Sequence, residues 1–473
     1  MRTEILWAVV VLSQLAGCGD AVTTTAMPES ATNTIAFENV RVLPMSEDFI
    51  LNGYTVVIDG DRIAALGPTA SMTIPAGSRI IDGHGLTLMP GLADMHVHYS
   101  LGDEEGVLFV VNGVTTVRNM WGTTEQIRLD VRAKNGDLIG PHVYTTGPLI
   151  DGPNSIWGDD AVTIESPQAA IGAVESQHAS GYSMIKLYEG IDSDSYRAAV
   201  GAAKERGMKI ASHTPESMTV EELLDLQVDS IEHLDGYETA LSGVKSGFPL
   251  ATLNAWQHAE TSRMEALAKR TVDAGVWNTA TLTVYTQLPK YSNAAENFFA
   301  RPEVRYVPPM WVGFWQKQQA FMPPELLSVA KAGATARNQF VKSLYDAGAN
   351  LLVGTDTPNP FIVEGYSFHD ELDNLSNAGI PNDDLLRMAT VEAARFLGEE
   401  GEFGVVTKGA RADLILVRGD PLIDLSVLRE PVGVMVNGHW YERRDLQKIL
   451  EANAIRFERE IQQMQEQSES PSE

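Results

Sequence analysis

Two histidines one residue apart stand in the stretch GLADMHVHYS, residues 91–100, directly after an apolar run. Successive side chains of a β-strand point to opposite faces, so His96 and His98 lie on the same face of a strand here. An apolar interior does not accommodate two imidazoles unless they find polar or metal partners. The spacing therefore predicts that this strand contributes to a chemical site rather than to an ordinary core.

Further imidazole and carboxylate side chains stand at the ends of later strand-like segments. His213 lies in KIASHT, His233 lies in SIEHLD, and Asp356 ends LLVGTD. A single histidine in a strand is commonly a satisfied core residue, but all of these stand where strands end. Imidazole together with carboxylate suits zinc and related divalent ions. The combined pattern predicts a metal site.

The elements that must bring these residues together alternate along residues 90–401. The candidate strands are LADMHVHY, VTTVRNM, HVYTTG, MIKLY, KIASHT, SIEHLD, VWNTATLTV and LLVGTD. Helical patterns such as SYRAAVGAAKERG (195–207) and SRMEALAKRTVDAG (262–275) separate several of them. Repeated βα units in this number predict an α/β fold, a (β/α)8 or TIM barrel, whose sites form at the C-terminal ends of the strands.

β-rich segments flank this predicted barrel on both sides. Residues 34–89 contain TVVIDGDRIAALG, a hairpin pattern, and residues 402–442 contain ADLILVRGD and VGVMVNGHWY. We expect them to pair into one small β-sandwich domain built from both chain ends. Residues 443–473 are predicted to form a helix that ends in a disordered tail. Within the barrel, the aromatic insertion 285–333 is predicted to form a lid or substrate wall, with an oligomer contact as the alternative.

Composition limits the partners of the chain. The 473 residues carry a formal net charge of −28, which argues against nucleic acid, whose phosphates bind Lys and Arg. The same charge argues against direct binding to an acidic membrane surface. We expect a small-molecule substrate as the partner, and the sequence leaves self-association open.

The single cysteine, Cys18, follows a charged start and a short apolar run in MRTEILWAVVVLSQLAGC. The run is too short to span a bilayer and is typical of a secretory signal. LAGC resembles a bacterial lipoprotein signal, which makes 1–17 a signal peptide, Cys18 a lipidated residue and 18–33 a tether. The expected location is the bacterial cell envelope, lipid-anchored or periplasmic, with an ordinary signal peptide as the alternative.

The combination of HVH, SHT, IEHL and GTD on this strand pattern resembles the amidohydrolase superfamily of metal-dependent hydrolases. PGLADMHVH and GARADLILV resemble the points where that fold enters and leaves its barrel. The resemblance implies hydrolysis of an amide bond in a small substrate such as a dipeptide or an N-acyl amino acid. It implies two divalent metal ions, with zinc expected: His96, His98 and Asp356 would hold one, and His213 and His233 the other.

Lys186 lies in MIKLY among apolar neighbours, where burial of an ammonium group is costly. In the imidazolonepropionase-like and prolidase-like members of the superfamily, a lysine at this place reacts with CO2 and bridges both metals. The resemblance therefore implies that Lys186 is a carboxylated lysine and a sixth ligand. The alternative is a lysine paired with an aspartate or glutamate inside the mouth.

The resemblance also implies catalytic roles. Asp356 would take a proton from a metal-activated water and pass it to the leaving nitrogen. Tyr188 and His142 are candidate donors to the carbonyl oxygen of the substrate. The histidine-bearing loop that some prolidase-like relatives carry after strand three is absent from GPLIDGPNSIWGDD, which puts dipeptidase activity in doubt.

Residues that could select the substrate are less sharply marked. Arg118, near the end of the second predicted strand, could bind a substrate carboxylate through paired hydrogen bonds. Trp121 could contact an apolar or aromatic side chain of the substrate. His369 follows the last predicted strand and could line the pocket.

Other activities remain open at this point. A mononuclear deaminase is one alternative, because Glu216 follows His213 at the spacing that superfamily deaminases use for a proton-shuttling glutamate, although Lys186 argues for the binuclear hydrolase. A hydrolase of esters, lactones or phosphoesters is another. A non-catalytic binding lipoprotein is the third, and the retention of all six candidate ligands argues against it.

Overall fold

The computed structural model describes residues 34–47, 50–100, 102–153, 155–245, 250–291, 297–323 and 325–469. The predicted signal peptide (1–17), the tether (18–33) and Cys18 lie outside these ranges, as do residues 470–473 of the predicted tail. Among the described helices, none combines the length and the apolar character that crossing a bilayer requires.

The secondary structure alternates between strands and helices through the middle of the chain. The strands are β1 (Thr34–Val42), β2 (Leu51–Asp59), β3 (Arg62–Pro68), β4 (Arg79–Asp82), β5 (Leu86–Pro90), β6 (Leu92–Val97), β7 (Val114–Asn119), β8 (His142–Thr145), β9 (Ile150–Asp151), β10 (Val162–Thr163), β11 (Met184–Leu187), β12 (Lys209–Ser212), β13 (Ser230–Glu232), β14 (Trp277–Thr279), β15 (Leu351–Leu352), β16 (Leu414–Arg418), β17 (Gly433–Val436) and β18 (His439–Glu442). The helices are α1 (Asp103–Val111), α2 (Thr124–Lys134), α3 (Pro167–Ala179), α4 (Ser193–Glu205), α5 (Val220–Leu226), α6 (Tyr237–Ser242), α7 (Leu250–Gln257), α8 (Met264–Ala274), α9 (Leu282–Tyr291), α10 (Pro309–Phe321), α11 (Leu326–Ala347), α12 (Tyr366–Asn377), α13 (Asn382–Met388), α14 (Val391–Leu397) and α15 (Arg443–Glu469).

Strands from both ends of the chain form one eight-stranded sheet. Its order is β18-β17-β16-β5-β1-β2-β3, with β4 beside β1. The two ends meet where β16 runs antiparallel to β5, with Leu416 opposite Leu88. Phe37, Val56 and Leu414 belong to the apolar core of this sheet. The hydrogen-bonding path is one composite sheet, and its arrangement as a two-layered sandwich stays a prediction.

The strands that carry the candidate ligands are parallel. β6, β7 and β8 form one sheet, and a second sheet has the order β10-β9-β11-β12-β13-β14-β15. Backbone hydrogen bonds link the two sheets at both boundaries: Gly147 N donates to Met184 O at 3.1 Å at one, and Met95 N donates to Val353 O at 2.8 Å at the other. Because the strands run in one direction, their C-terminal ends share one edge, and loops after them can build a single site.

The segment 276–284 departs from its prediction as a strand. β14 is short, and helix α9 begins at Leu282. Thr281 adopts a left-handed conformation (φ 44°), which ends the extended chain. The Glu371 carboxylate, far away in sequence, then accepts hydrogen bonds from the first two amides of α9. β-branched residues favoured a strand here, and a tertiary helix cap overrides that preference.

The buried Asp413 joins the composite sheet to the parallel strands at their N-terminal edge. Its carboxylate accepts a hydrogen bond from Asn437 N at 2.7 Å and lies 3.3 Å from Nε2 of His142, the first residue of β8. It also pairs with the Arg411 guanidinium. Burial alone would raise the pKa of Asp413, but His142 and Arg411 hold it well below the ordinary aspartate value.

Replacing Asp413 with Asn should lower the free energy of unfolding at pH 7 by about 3–5 kcal/mol, because it leaves the buried Arg411 guanidinium without its carboxylate partner. Stabilisation by a carboxyl group of depressed pKa is present above its unfolded-state pKa, about 4, and is lost as the pH falls further. The difference between wild type and variant should therefore shrink below about pH 4. Urea unfolding measured across this range, with the exposed Asp59→Asn as control, tests this. Equal midpoints at pH 7 would contradict it.

Candidate metal centre

His96 lies at the centre of the candidate site, and its side chain is 1% exposed. Its Nδ1 lies 2.9 Å from Glu232 Oε2, whereas its Nε2 has no hydrogen-bond partner among the described residues. Burial and the nearby charge of Lys186 lower the pKa of His96 well below its ordinary value. A neutral imidazole held at one nitrogen by a carboxylate, with a free lone pair at the other, is the form in which histidine binds metals.

The other predicted histidines and Asp356, which follows strand β15, surround His96. Asp356 Oδ1 lies 3.3 Å from His96 Nε2 and 2.9 Å from His98 Nε2. The His233 ring centroid lies 4.6 Å from that of His96 and 4.7 Å from that of His213. Ligand atoms of His96, His233 and Asp356 all lie within 4.8 Å of one another, so these side chains could hold a metal ion. The structure thus brings together the candidate ligands that were identified at the ends of the predicted strands.

Lys186 on β11 is 1% exposed, and its Nζ has no hydrogen-bond partner in the part of the chain that the structure describes. Burial lowers the pKa of Lys186 to about 8, although the charges of Glu232 and Asp356 act in the opposite direction. The alternative expected from sequence was a lysine paired with an aspartate or glutamate in the mouth, and no hydrogen bond or ion pair of this kind is found among the described residues. A buried amine without a partner asks for a ligand or a modification.

His213 has carboxylate neighbours that the sequence analysis did not assign. Its Nδ1 lies 3.2 Å from Glu189 Oε1 and 3.6 Å from Asp235 Oδ2. Burial and Lys186 oppose protonation, but the two carboxylates outweigh them and raise the pKa of His213. Ligand atoms of Glu189, His213 and Asp235 form a second group that could hold a metal ion. The predicted pairing of His213 with His233 therefore does not match this grouping, in which His233 joins His96.

Arg118 lies beneath the cluster, and its side chain is 0% exposed. Its Nη2 donates to both carboxylate oxygens of Glu232 at 3.0 Å, and its Nη1 donates to Ser230 Oγ at 2.9 Å. Its Nε donates to Met95 O at 2.6 Å. These contacts correct the expectation that Arg118 binds a substrate carboxylate, because its donors face neighbouring strands and none reaches the mouth.

His142 and His369 are not brought to the cluster. His142 begins β8, so it lies at the edge opposite to the strand ends, next to Asp413. His369 is buried on α12, where its Nε2 lies 3.0 Å from Asn112 O, and burial lowers its pKa to about 3. Both rings make structural contacts, and we leave them out of the site.

An aromatic row borders the cluster. Ring centroids are 6.3 Å apart between His98 and Trp121, 4.8 Å between Trp121 and Trp157, and 5.9 Å between Trp157 and Tyr188. Tyr188 ends the row 4.3 Å from His213. Burial raises the pKa of Tyr188 well above its ordinary value, so its hydroxyl keeps its proton. Trp157, which was not among the predicted site residues, connects Trp121 to Tyr188 in this aromatic row.

Glu232 is the main residue that sequence reasoning missed. Regular strand alternation would send neighbouring Glu232 and His233 to opposite faces. His233 has a left-handed backbone (φ 61°), which lets both side chains approach His96. An acidic residue inside the apolar strand segment SIEHL was the available signal.

Comparisons with known proteins identify the family of the chain. The model of the amidohydrolase family matches residues 87–441. The chain is 23% identical over 413 residues to the 5-methylthioadenosine/S-adenosylhomocysteine deaminase of Caldanaerobacter subterraneus subsp. tengcongensis. The aligned region covers 81% of this chain and 84% of that protein.

Solved structures share the fold. Bottromycin amidohydrolase superposes with a TM-score of 0.72 at 23% identity, over 90% of this chain and 91% of its own. A Xaa-Pro dipeptidase with bound methionine superposes with a TM-score of 0.65 at 20% identity, over 86% of this chain and 100% of its own. The predicted resemblance to the superfamily and its prolidase-like members is confirmed, and the family match includes every strand that carries a cluster residue. The chain belongs to the amidohydrolase family and is a hydrolase that acts on carbon–nitrogen bonds.

Proposed function

We propose that this protein hydrolyses an amide bond of a small substrate at a centre for two divalent metal ions, with zinc as the expected metal. The observation that carries the proposal is a pair of buried nitrogen atoms, His96 Nε2 and Lys186 Nζ, that lack hydrogen-bond partners among the described residues. Buried polar atoms are costly without partners, and here they lie among imidazoles and a carboxylate. A metal ion bound at His96 Nε2, and carboxylation of Lys186, would give both atoms their partners.

The donor set fits such a centre. The proposed ligands are His96, His98, His213, His233, Asp356 and Lys186. A lysine becomes an anionic ligand when its neutral amine adds to the carbon of CO2 and releases a proton, which forms a carbamate. The lowered pKa of Lys186 favours the neutral amine that this reaction needs.

The chain's own residues supply proton transfer and orientation. Divalent ions, when bound, polarise a carbonyl group and make water a nucleophile at neutral pH. Asp356 would take the proton of the attacking water and return it to the leaving nitrogen. The protonated Tyr188 hydroxyl would donate to the carbonyl oxygen of the substrate.

The walls of the site favour a substrate with an apolar or aromatic side chain. Trp121, Trp157 and Tyr188 form one continuous side beside the cluster. Arg118 is committed to Glu232, so a substrate carboxylate would need another partner. Dipeptides and N-acyl amino acids with aromatic side chains are the first substrates to assay.

We further propose that β6, β7, β8 and β11–β15 close into a (β/α)8 barrel around the ligands. The hydrogen bonds at both sheet boundaries support this arrangement. So does the parallel bridge between Val97 and Thr357, which joins the segment after β15 to β6. A closed ring would surround the cluster with strand ends on all sides.

Deamination is the second candidate, because the relatives of the chain include several deaminases. Glu216 is the glutamate whose spacing from His213 suggested a deaminase. Its side chain is exposed and lies 3.6 Å from Lys245, which argues against a role as a proton shuttle. Amide hydrolysis should release an amine and a carboxylic acid from aromatic dipeptides or N-acyl amino acids. Ammonia release from adenosine derivatives, with no turnover of any amide, would instead establish the deaminase.

Replacing Lys186 with Met should lower the metal content from about two ions per chain to about one or fewer, because the proposed carboxylated-lysine ligand would be lost. Elemental analysis of protein expressed with and without bicarbonate measures this. Lys209→Met is the matched control, since Lys209 begins the neighbouring strand β12 at the opposite edge. Equal metal content in Lys186→Met and wild type would rule out the bridging role.

Replacing Glu232 with Gln should weaken metal binding about 10–100-fold, because the carboxylate that orients His96 is lost. Competition with a chromophoric chelator gives the dissociation constant without any substrate. Asp413→Asn is the control, because it also removes a buried carboxylate but lies at the far edge of the strands. Equal weakening in both variants would mean that general destabilisation, and not the orientation of His96, causes the loss.

A further inference from the structure

The start of helix α9 contacts both strand ends that carry proposed metal ligands. Thr281 Oγ1 lies 2.8 Å from His233 Nδ1, and the Tyr285 hydroxyl donates to His233 O at 2.6 Å. On the other side, Thr283 Oγ1 donates to Thr355 O at 2.8 Å, one residue before Asp356. A single helical turn therefore links the loop of His233 to the loop of Asp356.

These loops need support because their backbones are strained. His233 and Leu234 have φ values of 61° and 55°, and Asp356 has a φ of 65°. Left-handed conformations are unfavourable for residues other than glycine, and they persist only where the surroundings hold them. The hydrogen bonds from α9 reach the carbonyl group of His233 itself and the residue before Asp356.

Helix α9 is in turn held rigidly. The Glu371 carboxylate accepts hydrogen bonds from Leu282 N and Thr283 N at 2.8 and 2.7 Å. Tyr285 is 3% exposed, and the Arg337 guanidinium lies over its ring at 4.7 Å from the centroid. The Tyr285 hydroxyl therefore has little freedom to leave His233 O.

Helix α10, which lies in the aromatic insertion, also contacts the loop that carries Asp356. On α10, Trp315 Nε1 donates to Pro358 O at 3.1 Å, two residues after Asp356. The insertion thus contacts the Asp356 loop directly, in addition to any role as a cover over the mouth.

We propose that Tyr285 and Thr283 are positioning residues of the metal centre, which fix His233 and Asp356 relative to each other. The inference rests on the proposed function for the presence of a metal. It goes further, because it makes helix α9, which runs into the start of the insertion, part of the support that sets metal affinity and ligand geometry.

Tyr285→Phe tests the proposal with little disturbance, since it keeps the ring beneath Arg337 and removes one hydroxyl. Chelator competition should give a dissociation constant for zinc about ten-fold or more above that of the wild type. The visible absorption of the cobalt-substituted protein should also change, because these bands report the geometry of the ligands. Thermal unfolding of the metal-free proteins controls for a general loss of stability.

Tyr237→Phe is the matched control. Tyr237 is 0% exposed, and its hydroxyl lies 3.1 Å from Thr271 Oγ1 on α8 rather than next to a ligand. This variant loses the same chemical group at similar depth, and it should keep the wild-type cobalt spectrum and zinc affinity. A second pair separates hydrogen bonding from packing: Thr283→Val should shift both readouts, and Thr283→Ser should restore them.

The outcomes distinguish this proposal from the proposed function. If wild type binds zinc and cobalt but Tyr285→Phe and Thr283→Val match it in affinity and spectrum, the positioning role is wrong and the metal centre stands. If Tyr237→Phe shifts the readouts equally, stability and not position is responsible, and the proposal also fails. If wild type itself binds neither metal, the proposed function is wrong and the positioning role falls with it.

Discussion

The buried ion pair between Arg118 and Glu232 is the interaction on which the candidate centre depends. Removing two charges from water costs several kcal/mol for each ion unless hydrogen bonds satisfy both groups. Arg118 meets this condition by donating to Glu232, Ser230, Thr279 and Met95 O, which ties together the strands on which they lie. Because Glu232 also holds His96, the same pair fixes both the spacing of the strands and the orientation of a ligand ring.

The charges beneath the cluster make its two sides electrostatically different. Burial, together with neighbouring cationic groups, lowers the pKa values of His96 and His233, so these rings are neutral before any ion arrives. On the other side, Glu189 and Asp235 raise the pKa of His213. A lowered pKa favours the neutral imidazole that binds a metal, whereas a raised pKa opposes its formation. The shifts therefore favour metal binding at His96 and His233 more than at His213.

Periodicity in the sequence was enough to predict the parallel α/β class, the meeting of the chain ends and the histidines at strand ends. It failed where the backbone departs from regular strand geometry, or where a residue distant in sequence determines the secondary structure or the direction of a side chain. The left-handed His233 turns Glu232 toward the site against strand alternation. Arg118 stands near a strand end, but tertiary partners draw it inward. Residues 276–284 have strand-like composition, yet Glu371, on a helix much later in the chain, caps a helix there.

The composite sheet makes completion of the molecule depend on the order of synthesis. β5 emerges from the ribosome long before β16, and the edge that pairs with β16 has no partner until that strand is made. Pairing across so long a stretch of chain is also slow. A nascent chain that has just finished α14 already contains all the proposed ligands, yet it still exposes an open, apolar sheet edge. Pairing of β16 with β5 closes this edge to pairing with other chains.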